Sequence, residues 1–404
     1  MRASWTLLHR YIGLLTAGFL FISGLTGAVI SWDHELDDLL NPHLMEAHTP
    51  GRPQSSLALA RQVEQRHPKA RVSYIPLHAE QGKSLGFGLD ATGFNQVFVD
   101  PVSGAELGKR EWGAVWPISK ETLVSFLYRL HYSLHVPEMW GIDRWGIWLM
   151  GVIAMVWMVD SFVGFYLTLP VRTRTPGARG WWQRWKPAWK VRWSGGNAKL
   201  NFDLHRAFSL WTWGLLFVLA FTAFSLNLYR EVFYPVMQAV SELTPTPFDT
   251  RTPRDLRNPI LARIGYEEVL QRAAQEAARR TWKEPAGSVF YSQAYGIYGV
   301  SFFKPGDDHG AGGVGPAVLY YDGVDGRLLG DRQPWKGTAA DIFVQAQFPL
   351  HSGRILGLPG RILVSAMGVV VAMLSVTGVV IWWRKRTSRN RAAAAQRRGM
   401  QPAG

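Results

Sequence analysis

The sequence predicts an α-helical membrane protein with four transmembrane helices in two parallel repeats and two external α+β domains. Three observations carry that expectation. Four blocks of 22 to 25 residues hold at most one charge each. Basic residues gather in three segments that alternate with segments of balanced or acidic charge. Short motifs recur in the same order in the two halves of the chain.

Taken in order, residues 1–10 are a short basic N-terminus with Arg2 and Arg10. Residues 11–32 hold no charge, and about 20 apolar residues of helix suffice to cross a bilayer core. The block exceeds the ~7–15 residues of a signal-peptide core and no A-x-A site follows, so it reads as an uncleaved anchor. Residues 33–144 are the first external segment. Residues 145–169 are the second span, with Asp160 as its one charge. Residues 170–206 form a loop with nine basic residues and one acid, Asp203. Residues 207–229 are the third span, 230–361 the second external segment and 362–383 the fourth span. Residues 384–404 are a tail with seven basic residues and no acid. Tyr11, Trp32, Trp145, Tyr229, Trp382 and Trp383 mark span ends, as an interfacial aromatic belt requires.

Residues 1–10, 170–206 and 384–404 together hold 18 basic residues and one acid, whereas the remainder holds 26 basic and 29 acidic residues. By the positive-inside rule both termini and the 170–206 loop are cytoplasmic. The two long segments then lie outside, in the periplasm of a cell that has one. The net charge of +14 therefore does not argue for nucleic acid. Trp181, Trp182, Trp185, Trp189 and Trp193 interleave with basic residues, and next to two spans such a segment rests on anionic membrane lipid. The chain has no cysteine, which removes thiol nucleophiles, Cys-ligated zinc, iron–sulfur clusters and disulfides.

The repeat is visible as Leu8-His9-Arg10 and Leu204-His205-Arg206, and as Ser133-Leu134-His135 and Pro349-Leu350-His351. Within spans two and four, Ser161-Phe162-Val163-Gly164 matches Ser375-Val376-Thr377-Gly378. Two spans per half keep the copies parallel. Each external segment reads as a helix followed by a meander. The first has a helix over 55–67 and strands at 71–75, 85–89 and 96–99. The second has a helix over 267–280 and strands at 288–291, 296–303 and 317–321.

Histidine offers the chemistry. By repeat position His9 pairs with His205 at one membrane face, and His135 with His351 at the other. Imidazole at membrane depth is uncommon and usually functional. Two neutral imidazoles on facing helices can hold one haem iron axially, and Gly13, Gly18, Gly24 and Gly27 would let a porphyrin lie flat against the backbone; the competing reading is helix packing by those glycines and interfacial capping by the histidines. His131 and His135 have zinc-like spacing, but Tyr132 stands where H-E-x-x-H needs Glu. Asp160 reads equally as a proton-relay group or as a hydrogen bond to a neighbouring helix.

The stretches LHRYIGLLTAGFLFISGLTGAVISWDHELDDLLNPHL, LHYSLHVPEMWGIDRWGIWLMG, LNFDLHRAFSLW and FPLHSGRILGLPGR resemble the PepSY-associated transmembrane proteins, an iron-regulated inner-membrane group of Gram-negative bacteria. The resemblance covers nearly the whole chain. It implies that the external units are PepSY domains and that the protein sits in the bacterial inner membrane. Members include ferric-siderophore reductases with two b-type haems, so it also implies one haem b near each membrane face. His9 and His205 match the inner histidines of the family, and His135 and His351 the outer ones, with His131 as the substitute. The implied partners are a ferric siderophore, an electron donor and other iron-uptake proteins.

Physical reasoning agrees in part. Reduction to Fe(II) loosens the grip of hard oxygen donors on iron. A ~30 Å hydrocarbon core is too thick for one tunnelling step, so two haems in series serve as a wire. No G-x-G-x-x-G follows a strand, so the donor is a quinol or a cytoplasmic protein. Two other readings are a non-catalytic protein that binds or restrains periplasmic peptidases, and a two-half transporter. The transporter is disfavoured because the spans show no broken helix and one ionisable group.

Overall fold

The structure, a computed structural model, describes residues 1–171 and 179–399. The expected loop 170–206 and tail 384–404 lie partly outside the described residues. Helix α1 (Arg2–Ile30) carries the first span and takes in the basic N-terminus. After α2 (Asp33–Leu40), the first α+β unit consists of α3 (Ser56–Arg66) and strands β1 (Arg71–Pro76), β2 (Leu85–Asp90), β3 (Gln96–Val99) and β4 (Glu106–Arg110). Helix α4 (Lys120–Ser133) returns the chain to the membrane and α5 (Trp145–Thr168) is the second span. Helices α6 (Asn197–Trp211) and α7 (Trp213–Asn227) follow. The second unit is α8 (Tyr266–Arg279) with β5 (Ala286–Ser292), β6 (Ile297–Phe302), β7 (Ala317–Asp322) and β8 (Leu328–Arg332). The short α9 (Gln347–Ser352) precedes α10 (Leu358–Gly399), which contains the fourth span and continues past Trp383.

The third span departs from expectation. Helices α6 and α7 meet at a 72° bend, with Thr212 between them at φ −109° and ψ 6°. The 15 residues of α7 rise about 22 Å, short of a ~30 Å core. The expectation of four unbroken spans is thus corrected: among the described residues three helices are individually long and apolar enough to cross, and four spans result only if the bent pair counts as one. The chain is a membrane protein by this measure. Leu15, Val152, Val159, Ile362 and Val369 leave their side chains exposed on the spans, which suits hydrocarbon and would be costly in water.

The two α+β units share one eight-stranded antiparallel sheet, ordered β4-β3-β2-β1-β5-β6-β7-β8. Strand β1 joins β5 through Tyr74↔Phe290, Ile75↔Val289 and Pro76↔Ser288. Helices α3 and α8 cover one face, where Leu59, Val63, Val269 and Ala273 pack on Ile75, Phe87, Val97, Val289, Val300 and Leu319. β2 alternates buried and half-buried residues, as a sheet covered on one face should. β6 is buried throughout, because Phe248 and Tyr320 cover Ile297 on the opposite face. β4 and β8 were not expected from the sequence. They are short, charged and glycine-containing edge strands (ELGKR and LLGDR), a composition that protects an edge and hides its strand character.

Ion pairs tie α2 to the start of the last span. Arg361 forms a fork with both carboxylate oxygens of Glu35 at 2.6 and 2.7 Å and lies over the Trp32 ring. That fork holds the Glu35 carboxyl at about 2, far below the usual carboxylate value. Arg354 reaches Asp33 at 3.2 Å. Of the tryptophans read as interfacial, Trp185 is instead buried against Ala188 and Leu210, while Trp182 and Trp193 stay exposed.

Candidate functional site

The membrane region contains two cavities, one at the sheet side and one at the side of the termini. The terminus-side cavity, about 440 Å³, is lined by His9, Asp160, Gly164 and His205 among others. The sheet-side cavity, about 290 Å³, is lined by His131, His351, Gly27 and Tyr128 among others. Leu20, Trp157 and Val371 line both and so form the partition between them.

Each cavity brings two histidines face to face. The rings of His9 and His205 are 6.4 Å apart between centroids and tilted by 56°. Those of His131 and His351 are 6.0 Å apart and tilted by 51°. A metal–imidazole bond is ~2 Å long and the ring adds about 1 Å from nitrogen to centroid, so two imidazoles on one iron sit about 6 Å apart.

The sequence-expected pairing at the sheet side is corrected here. His135 does not meet His351. Helix α4 ends at Ser133, and Leu134 and His135 both take left-handed backbone angles, φ 53°. The His135 ring turns back to stack on Phe126, with Nε2 bonded to the Phe126 carbonyl at 2.8 Å. His131, four residues earlier and still helical, reaches the cavity instead. The Leu-His dyad occurs at both 130–131 and 134–135, so either could align with Leu350-His351. The same break ends the zinc reading, since His131 and His135 no longer share a helix face. Among the described residues no cluster of three or more His, Asp or Glu can hold a bare metal ion.

The tautomers follow from the partners of Nδ1. His131 Nδ1 meets the Ser23 carbonyl at 3.0 Å, and His205 Nδ1 meets the Leu374 carbonyl at 3.1 Å. A carbonyl only accepts, so both Nδ1 atoms donate. His351 Nδ1 contacts Thr222 Oγ1 at 2.9 Å, and that hydroxyl already donates to the Val218 carbonyl. Thr26 and Thr377 add the same contact to His131 and His205. His9 Nδ1 contacts Asp160 Oδ2 at 2.8 Å. All four imidazoles therefore carry their proton on Nδ1. Their Nε2 lone pairs are left without a protein partner among the described residues, which is the form a metal ligand takes.

Small residues make room for these rings. A Cβ on Gly27 would stand 2.9 Å from His131 Cε1; on Gly378, 3.2 Å from His205 Cε1; on Gly164, 3.3 Å from His9 Cε1. Gly24 serves packing, since its Cβ would stand 2.6 Å from the Gly368 carbonyl oxygen on α10. Gly13 and Gly18 face open space. The bend at Thr212 has a consequence too: it lays α6 across so that His205 meets Leu374, Thr377 and Gly378 of α10. Basic residues line both cavities, with Arg2, Arg10 and Lys385 in one and Arg354 in the other. A porphyrin's propionates require such partners.

Fold and site together define a class: a multi-span membrane protein with a β-sheet region at one end and two half-buried imidazole pairs stacked across the membrane region. The chain belongs to the family of the PepSY-associated TM region, whose profile matches residues 6–385. No curated protein matches it.

Proposed function

We propose that this protein is a di-haem inner-membrane reductase. It passes electrons from the cytoplasmic side to ferric siderophores in the periplasm and so releases Fe(II). The two halves are repeats, the helix-plus-four-strand units are PepSY-like domains, and the sheet side is periplasmic with both termini cytoplasmic. The observation that carries the reading is the pair of facing histidines in each cavity, ~6 Å apart with Nε2 free. His9 and His205 would hold the cytoplasmic-side haem b, and His131 and His351 the periplasmic-side one. When bound, each haem supplies a one-electron Fe(III)/Fe(II) couple.

The chain's own part is binding and orientation. The Nδ1 hydrogen bonds fix ring orientation and tautomer before iron arrives. Arg10 and Lys385 in one cavity and Arg354 in the other would be the partners of the propionates. Leu20, Trp157 and Val371 keep water out of the gap between the sites. The donor is a quinol or a cytoplasmic protein.

The test is a pyridine haemochrome assay on protein purified from haem-replete cells, with reduction of ferric siderophore by proteoliposomes. Two haems per chain and reduction on the sheet side are expected. Protein without haem would overturn the reading and leave the peptidase-binding alternative.

A further inference from the structure

Three of the four histidines share one Nδ1 environment and the fourth does not. His131, His351 and His205 each contact a threonine hydroxyl, Thr26, Thr222 and Thr377 respectively. His9 contacts a carboxylate, Asp160. The repeat locates the change. Ser161-Phe162-Val163-Gly164 aligns with Ser375-Val376-Thr377-Gly378, so Val163 takes the place of the threonine and Asp160 the place of Leu374. The hydroxyl and backbone carbonyl that hold His205 are replaced, around His9, by an acid side chain.

Asp160 is 6% exposed, and its Oδ1 is buried without a hydrogen-bond partner. Its one ionic contact among the described residues is His9. A buried carboxylate without a cationic partner is costly. Propionates apart, the iron–porphyrin core of a bis-imidazole haem carries one positive charge when ferric and none when ferrous. A carboxylate on the ligand's N–H also makes that imidazole a stronger donor to iron. Both effects favour the ferric state.

On the di-haem reading above, we propose that Asp160 is a positioning residue that holds the His9–His205 haem at a lower reduction potential than the His131–His351 haem. The asymmetry would make electron flow from the termini toward the sheet downhill. In the sheet-side site both histidines contact neutral acceptors, and the carboxylate that lines that cavity, Asp33, is paired with Arg354.

The experiment is an anaerobic redox titration of the full-length haem-loaded protein, with haem content measured alongside. Two waves are expected in wild type. His205→Ala should remove the lower one, which assigns it. Asp160→Asn should raise that wave by at least a tenfold change in the ferrous-to-ferric ratio, ~59 mV for one electron, and leave the upper wave in place. Asp160→Leu with Val163→Thr, which copies the surroundings of His205, should do the same. Leu374→Asp puts a second carboxylate beside the other ligand and should lower the same wave, so the test survives if one variant fails to load haem. A lower wave that none of the three variants moves would overturn the proposal, as would loss of the upper wave in His205→Ala. Wild-type protein with no haem would give no waves at all, which marks failure of the reductase reading itself.

Discussion

Replacing Gly27 by alanine tests the sheet-side site with a single methyl group. The added carbon would stand 2.9 Å from His131 Cε1, whereas carbon pairs rest at about 3.5–4.0 Å. The ring would have to give way by about 0.6 Å or more. It cannot slide freely, because Nδ1 is held at 3.0 Å by the Ser23 carbonyl and at 3.1 Å by Thr26 Oγ1. Tilting about that anchor swings Nε2 away from His351, and disturbing the hydrogen bonds that orient a ligand typically costs 10–100-fold in metal affinity. Haem content of Gly27→Ala should therefore fall from two per chain toward one. Gly378→Ala and Gly164→Ala, at 3.2 and 3.3 Å, should loosen the other haem less severely. Gly18→Ala, which meets nothing within 4 Å, should keep both. The readout is haem per protein by pyridine haemochrome across the four variants. Full haem content in Gly27→Ala with an unchanged spectrum would refute the placement of His131 as a ligand held against α1.

Further outcomes follow from the same geometry. His131→Ala and His351→Ala should each leave one haem per chain, and His135→Ala should leave two; the reverse order by the same assay would restore the sequence-based pairing. Reporter fusions at Gly82 and Gly310 should both report the periplasm, and cytoplasmic activity at either would invert the topology. The Glu35 carboxyl, held at about 2 by Arg361, contributes stability in full above its unfolded value of ~4.5 and loses it as pH falls through about 2. Melting of the purified protein between pH 5 and 3 should thus show an acid-sensitive component that Glu35→Gln removes, and identical curves would argue that the fork is thermodynamically idle.

Hydropathy, charge and repetition are local properties, and they were legible in the chain itself. Charge-free blocks locate helices α1, α5 and α10 because a bilayer core admits few charges over that length. The meanders of β1–β3 and β5–β7 were legible because covered strands must be apolar. Edge strands β4 and β8 were not, since an edge is kept polar for solubility. His9 and His205 were identifiable as a pair because each stands in a Leu-His-Arg triplet before a span. The partner of His351 was not, because the two Leu-His dyads differ only in where α4 ends. That point is decided by the left-handed turn at Leu134 and His135. The bend at Thr212 is likewise invisible in an uninterrupted apolar run. The joining of β1 to β5 pairs residues more than 200 positions apart, through backbone bonds that carry no side-chain signature. Asp160 could be singled out by its charge and read as a proton relay or as a hydrogen bond to a neighbouring helix, but its partner could not be named. Only the folded chain brings α5 against α1 and places that carboxylate on the Nδ1 of His9.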